Sequence, residues 1–203
     1  YSALIVNMRI LTISAEYPPF YVGGISTHTY ELNRNLAIEG IEPWVITFCE
    51  NGFKNNFVLN EEHGVYIARV QRPDINQEDS YSVLFQKQNC SMINGIKFLV
   101  DTYKMKFDLI LVHGYFLSYA AIYTKYLLNV PIIYYLHTLY SNEYPNDNIS
   151  ENNIIRYAEI SICYEALRII AVSNYLKDLV VEKFDINPFK VSVITKAVDL
   201  SIY

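Results

Sequence analysis

Short runs of β-branched and aliphatic residues alternate along this chain with longer stretches whose apolar positions recur at helical spacing. Strand-length runs cover residues 9–14, 44–48, 65–70, 109–113, 132–137, 168–172 and 191–194. Most are continuously apolar rather than alternating, the pattern of strands covered on both faces. Helical spacing covers 26–39, 82–103, 115–128, 152–166 and 174–184. In the first of these, Ile25, Leu32, Leu36 and Ile38 supply much of the apolar surface, and Gly40 reads as the C-terminal stop. The alternation predicts βαβ units, hence an α/β fold with a doubly wound, mainly parallel sheet and right-handed crossovers.

Two polar stretches interrupt the pattern, 51–62 and 141–153, and the second has the composition of a mobile loop. The 203 residues suffice for a substantial core, and 52% hydrophobic against 18% charged residues argues for a folded protein. The net charge of −5 gives no support for a nucleic-acid partner. The sequence has no uninterrupted apolar run of about 18 residues, so no transmembrane helix is expected. Residues 1–7 read as an upstream extension and 8–203 as the domain, with Met8 as its natural start. Cys49, Cys90 and Cys163 have neither metal nor redox spacing, which fits a reduced cytoplasmic setting.

The chemistry concentrates at predicted strand ends. The segment from Glu16 through Pro18, Pro19, Gly23 and Gly24 to Ile25 joins the first strand to the first helix. Paired glycines let a backbone approach a ligand closely, and a helix start favours anions. A tight turn that needs glycine explains the pair equally well. In a doubly wound sheet ligands bind at the carboxyl ends of the strands. That rule gathers Gly23 and Gly24, His113 and Gly114, His137 and Thr138, and Ser173 and Asn174 onto one edge.

His137 is the expected catalytic residue, because it emerges from a dense apolar run and an imidazole there can donate a hydrogen bond or act near neutral pH. A turn cap is the alternative. His113 holds the same place on its own strand and serves either the ligand or a buried structural hydrogen bond. His28 reads as a helix-surface residue, and His63 has no assigned role. Glu16 holds a sugar hydroxyl or orients the loop through backbone N–H groups. No histidine or carboxylate cluster has metal-ligand spacing, so no metal is expected, and there is no nucleophile elbow for a Ser–His–Asp triad.

These residues together resemble the N-terminal domain of retaining GT-B glycosyltransferases, the superfamily that includes glycogen synthases, sucrose synthases and microbial lipid or polysaccharide glycosyltransferases. The resemblance rests on Arg9-Ile10-Leu11 leading to Glu16-Tyr17-Pro18-Pro19 and Val22-Gly23-Gly24, and continues through Leu32, Leu36, Gly40 and Trp44-Val45-Ile46-Thr47. It includes Asp108 to Gly114, Tyr135-Leu136-His137-Thr138, Ala171 to Leu176 and Val193 to Asp199. Thr195, Lys196 and Ala197 stand where the family usually has Pro, Asn and Gly.

The resemblance implies a Rossmann-like domain on the acceptor side of an enzyme that moves sugar, with retention, from a nucleotide-sugar donor to a glycan, small-molecule or lipid hydroxyl. Gly23 and Gly24 would approach the donor diphosphate or the acceptor, His137 the donor sugar, and His113 the acceptor. Glu16, Thr138 and Ser173 complete the expected binding set. The nucleotide-sugar is substrate, and no cofactor is implied. The C-terminal donor-binding domain is expected to lie outside this chain, leaving it inactive alone. A non-catalytic binding or assembly module of the same fold is the alternative. An unrelated nucleotide-binding enzyme is weaker, because the glycines lack the dinucleotide fingerprint. An apolar patch near the strand ends is expected as well, available for a homodimer.

Overall fold

In the computed structural model, which describes residues 8–20, 23–49, 57–143 and 153–196, seven of eight strands run parallel in one sheet. The elements are β1 (Arg9–Ile13), α1 (Gly24–Ile38), β2 (Glu42–Phe48), β3 (Phe57–Glu62), β4 (Val65–Val70), α2 (Tyr81–Tyr103) and β5 (Leu109–His113). They continue with α3 (Ser118–Leu128), β6 (Ile132–Leu136), α4 (Tyr140–Glu143), α5 (Asn153–Glu165), β7 (Arg168–Ala171), α6 (Asn174–Phe184) and β8 (Val191–Val193). The strand order is β3-β4-β2-β1-β5-β6-β7-β8. The chain therefore winds outward from β1 in one direction, then returns and winds outward in the other. With right-handed crossovers this reversal sends α1 to one face of the sheet and α2, α3 and α5 to the other.

The strands read as continuously apolar because both faces are covered. Leu11, Ile13, Ile46, Ala68, Ile110, Val112 and Leu136 join Met92, Ile96 and Leu99 of α2, Ala120 and Ala121 of α3 and Ile162 of α5 in the main core. Their neighbours in sequence face the other way. Ile10, Leu111 and Tyr135 pack with Leu32 and Leu36 of α1, and Val45, Val65 and Ile67 pack with Tyr30 and Ala37.

The inward face of α1 differs from the expected apolar stripe. Its buried residues are Ser26, Thr29 and Asn33, while Ile38 is 69% exposed. Beside Leu32 and Leu36 the helix meets the sheet through the hydrogen-bonded polar groups of Thr29 and Asn33. Thr29 Oγ1 donates to the Ile25 carbonyl, Asn33 Nδ2 to the Thr29 carbonyl, and Thr12 Oγ1 of β1 donates to Asn33 Oδ1 at 2.8 Å. Gly40 does end this helix, at φ +82°.

Two further differences have physical reasons. Residues 57–62, read as part of a polar stretch, form the antiparallel edge strand β3. An edge strand with a solvated face needs no continuous apolar run. Its signal was the turn His63-Gly64, where both residues have positive φ, the backbone of a tight hairpin. The helix expected from 115 begins only at Ser118, because Gly114, at φ +72°, turns the chain first. Of the expected mobile loop, Tyr140–Glu143 is helical and 144–152 lie outside the described residues, as do 1–7. Large apolar side chains are exposed beyond both ends of the strands, Tyr126, Tyr164 and Phe189 near the N-terminal ends and Tyr175 and Ile194 near the C-terminal ends. Among the described residues no helix is long and apolar enough to cross a membrane.

Gly95 is where α2 comes closest to the sheet. A Cβ there would overlap Val70 Cγ1 and lie 3.0 Å from Val70 Cβ. Gly95→Ala gains about 1 kcal/mol of helix propensity. Overpacking against β4 costs ~1–3 kcal/mol and outweighs that gain. Urea unfolding is expected to show a lower midpoint for Gly95→Ala, and an unchanged or higher midpoint would contradict this packing.

Candidate active site

The strand order reverses at β1, whose neighbours are β2 on one side and β5 on the other. Chains leaving the carboxyl ends of β1 and β5 diverge there and open a crevice, the place where doubly wound sheets bind ligands. Glu16, Gly23 and Gly24 border it on one side. On the other stand His113, the last residue of β5, and His137, just past the end of β6.

Strand parity decides which side chains meet. His113 lies two residues beyond Leu111, and His137 two beyond Tyr135, so both share the face covered by α1. His28, in the first turns of α1, descends onto them. His113 Nδ1 and His137 Nε2 are 3.1 Å apart, a direct ring-to-ring hydrogen bond. The His28 ring packs edge-on against both, at 5.6 and 5.2 Å between centroids, and the His113 ring stacks on Tyr135 at 4.9 Å. His28 is thus half-buried in the site rather than on the helix surface. The polar inward face of α1 had hidden this.

Burial is the main force on these rings. It pushes His137 down to about 3, with the Lys196 ammonium and His28 lowering it further. His113 lies well below the ordinary histidine value, through burial first and then His137, His28 and Lys196. His28 is lowered by burial and by Lys196. All three imidazoles are therefore neutral near pH 7, each with one N–H to donate and one lone pair to accept. His28 Nε2, His113 Nε2 and His137 Nδ1 are buried without a hydrogen-bond partner among the described residues.

Three histidines whose ring nitrogens lie within 4.8 Å of one another have the composition of a metal site, which spacing along the chain could not reveal. The geometry suits an imidazole cluster better. One pair of nitrogens is already engaged in the 3.1 Å hydrogen bond, and Lys196 adds a positive charge beside the group.

Glu16 takes the loop-orienting role: Gly23 N–H donates to its Oε2 at 3.1 Å. Gly23 has φ −170°, extended backbone that any residue adopts, and a Cβ built on it would meet nothing within 4 Å. A Cβ on Gly24 would lie 3.9 Å from Lys196 Nζ. Neither a turn nor packing requires glycine here, so the pair leaves open space at a helix start that has no side-chain cap and no acidic residue in its first turn. Thr138 lines a cavity of 330 Å³ with Glu16, Ile25, Arg72, Tyr81, His113, Gly114, Tyr115 and Phe116. Ser173 caps α6, its hydroxyl accepting from Leu176 N–H.

Sequence reasoning missed Asn89. It is buried in α2, donates to the carbonyls of Phe85 and Phe116, and accepts from Ala120 N–H, so it fixes the wall of the cavity.

The buried neutral histidines make stability depend on pH. The unfolded chain takes up protons on them near the ordinary value of 6.5, whereas folded His137 does so only near 3. Their effect is absent above pH 6.5 and destabilises progressively as pH falls toward 3, because the unfolded state then binds more protons. Thermal unfolding is expected to show a smaller drop in melting temperature between pH 7 and pH 5 for His137→Gln than for the native chain. An equal drop would contradict a buried, neutral His137.

Comparison with known proteins agrees with this fold. The model of Glycosyltransferase Family 4 matches residues 22–202. An uncharacterized glycosyltransferase of Methanocaldococcus jannaschii is 27% identical over 192 residues, covering 95% of this chain and 47% of the relative. Sucrose-phosphate synthase from Thermosynechococcus elongatus superposes with a TM-score of 0.76 at 14% identity, over 97% of this chain and 50% of that one. HepE of Anabaena, solved with UDP and glucose, superposes with a TM-score of 0.63 at 17% identity, over 97% of this chain and 46% of that one. The chain spans about half the length of these proteins, and the structural likeness shows a shared fold that fits the N-terminal half of the GT-B architecture. On the family match over most of its length, this chain belongs to Glycosyltransferase Family 4.

Proposed function

We propose that this chain forms the acceptor-side half of a retaining glycosyltransferase that moves a sugar from a nucleotide-sugar donor to a hydroxyl acceptor. The observation that carries the reading is the neutral His113–His137 pair at the switch point, beside a glycine-lined helix start with free space around it. In this reading His137 hydrogen-bonds a hydroxyl of the donor sugar near the reacting carbon. His113 holds His137 in one tautomer and faces the acceptor. A neutral imidazole suits both contacts, since it donates and accepts at once.

The leaving diphosphate carries the charge that develops in the reaction. The positive end of α1 at Gly23 and Gly24 and the nearby ammonium of Lys196 would stabilise it electrostatically. Transfer then proceeds with retention and needs no metal. HepE, which shares this fold, was solved with UDP and glucose, which supports a donor of this class. A second Rossmann-like half would hold most of the nucleotide, so this chain alone would bind the donor weakly and transfer little.

Calorimetric titration of UDP-, ADP- and GDP-glucose into a longer chain that carries both Rossmann-like halves tests the reading. Saturable binding of one donor is expected. About tenfold weakening, or ~1.4 kcal/mol, is expected in Gly24→Val and in His137→Ala. Gly24→Val should keep the native melting temperature, because its side chain has room. Absence of binding by all three donors, or donor binding indifferent to both substitutions, would move the chain to a non-catalytic module of the same fold.

A further inference from the structure

The 330 Å³ cavity beside the histidines holds two opposite charges that do not meet. Glu16 and Arg72 both line it, yet Arg72 forms no ion pair within 4.0 Å among the described residues. Glu16 is held at the loop by Gly23 N–H. Arg72 is placed with its guanidinium over the Phe48 ring at 5.4 Å and one long hydrogen bond, 3.5 Å, to the carbonyl of Ala15, the residue before Glu16. Most of its fork of donors is therefore unspent while its position is fixed. The cavity is also walled by the aromatic side chains of Tyr81, Tyr115 and Phe116. Tyr81 and Tyr115 brace each other through their hydroxyls at 3.3 Å, and Asn89 anchors Phe116 through its carbonyl.

We propose that this cavity receives an acceptor the size of one or two sugar rings that bears an anionic group, a phosphate or a carboxylate, bound by Arg72. The inference rests on the glycosyltransferase reading and names the acceptor class for it. The volume is at the lower end of small-molecule sites, roughly 300–1,000 Å³. Aromatic faces pack against the C–H faces of a sugar ring. A pre-positioned guanidinium pairs an anion through two parallel N–H groups. Glu16 and Thr138 accept from and donate to the hydroxyls, and His113 places the reacting hydroxyl next to His137.

The test is calorimetry with glucose, glucose 6-phosphate, glucuronate and inorganic phosphate, on the native chain and on Arg72→Gln. Either or both anionic sugars are expected to bind at least tenfold more tightly than glucose, and which of them does so identifies phosphate or carboxylate. Arg72→Gln should erase that preference. Inorganic phosphate should bind more weakly than the preferred sugar, because it cannot use the aromatic walls. In the native chain the preference should also shrink as salt rises, a readout free of any folding defect in the variant. Equal binding of glucose and both anionic sugars overturns the inference and leaves the acceptor site standing, as does a preference that survives in Arg72→Gln. Failure of every sugar to bind overturns the acceptor site as well.

Discussion

A parallel strand buried on both faces must satisfy its whole backbone through two neighbours, and β1 does so between β2 and β5. The rest of the molecule follows from that constraint. The chain can extend the sheet only by winding away from β1 twice, in opposite directions. Right-handed crossovers then place α1 on one face and α2, α3 and α5 on the other. The crevice at the carboxyl ends of β1 and β5 is the unavoidable gap between these windings. Every group assigned a chemical role borders it or the cavity beside it.

Desolvation then sets the character of the site. An imidazole among apolar neighbours loses more by holding a proton than a solvated one does. Three such rings packed together, with Lys196 beside them, suppress protonation mutually. The result is a rigid hydrogen-bonding surface without charge, next to a helix start that attracts anions. Charge and neutrality are divided in space, the positive potential at Gly23, Gly24 and Lys196 and the neutral contact at His113 and His137. This division suits a reaction whose charge develops on the leaving group rather than on the sugar hydroxyls.

Much of the sheet was legible because its strands are apolar on both faces, a pattern that few other structures share. One rule, that ligands gather at strand ends, singles out Gly23, Gly24, His113, His137 and Thr138 as candidates. The rule could not say which side chains touch. Parity along β5 and β6 puts His113, Tyr135 and His137 on one face, but a strand apolar on both faces does not display its parity. His28 was missed because the residues beside it that turn inward, Ser26 and Thr29, are polar and look solvated. Ser173 shows the ambiguity of a hydroxyl after a strand, which caps the next helix as readily as it binds a ligand. The edge strand β3 lacked an apolar run, since only one of its faces needs cover.

The central proposal is that His113 and His137 form a neutral, hydrogen-bonded pair through which His137 would meet the donor sugar. Nitrogen NMR of the imidazole rings, recorded with and without the nucleotide-sugar that binds, tests it directly. The account predicts one fixed neutral tautomer for each ring between pH 8 and pH 5, with both rings shifted by the donor. Rings that titrate near the ordinary value of 6.5, or that do not respond to a bound donor, would contradict it.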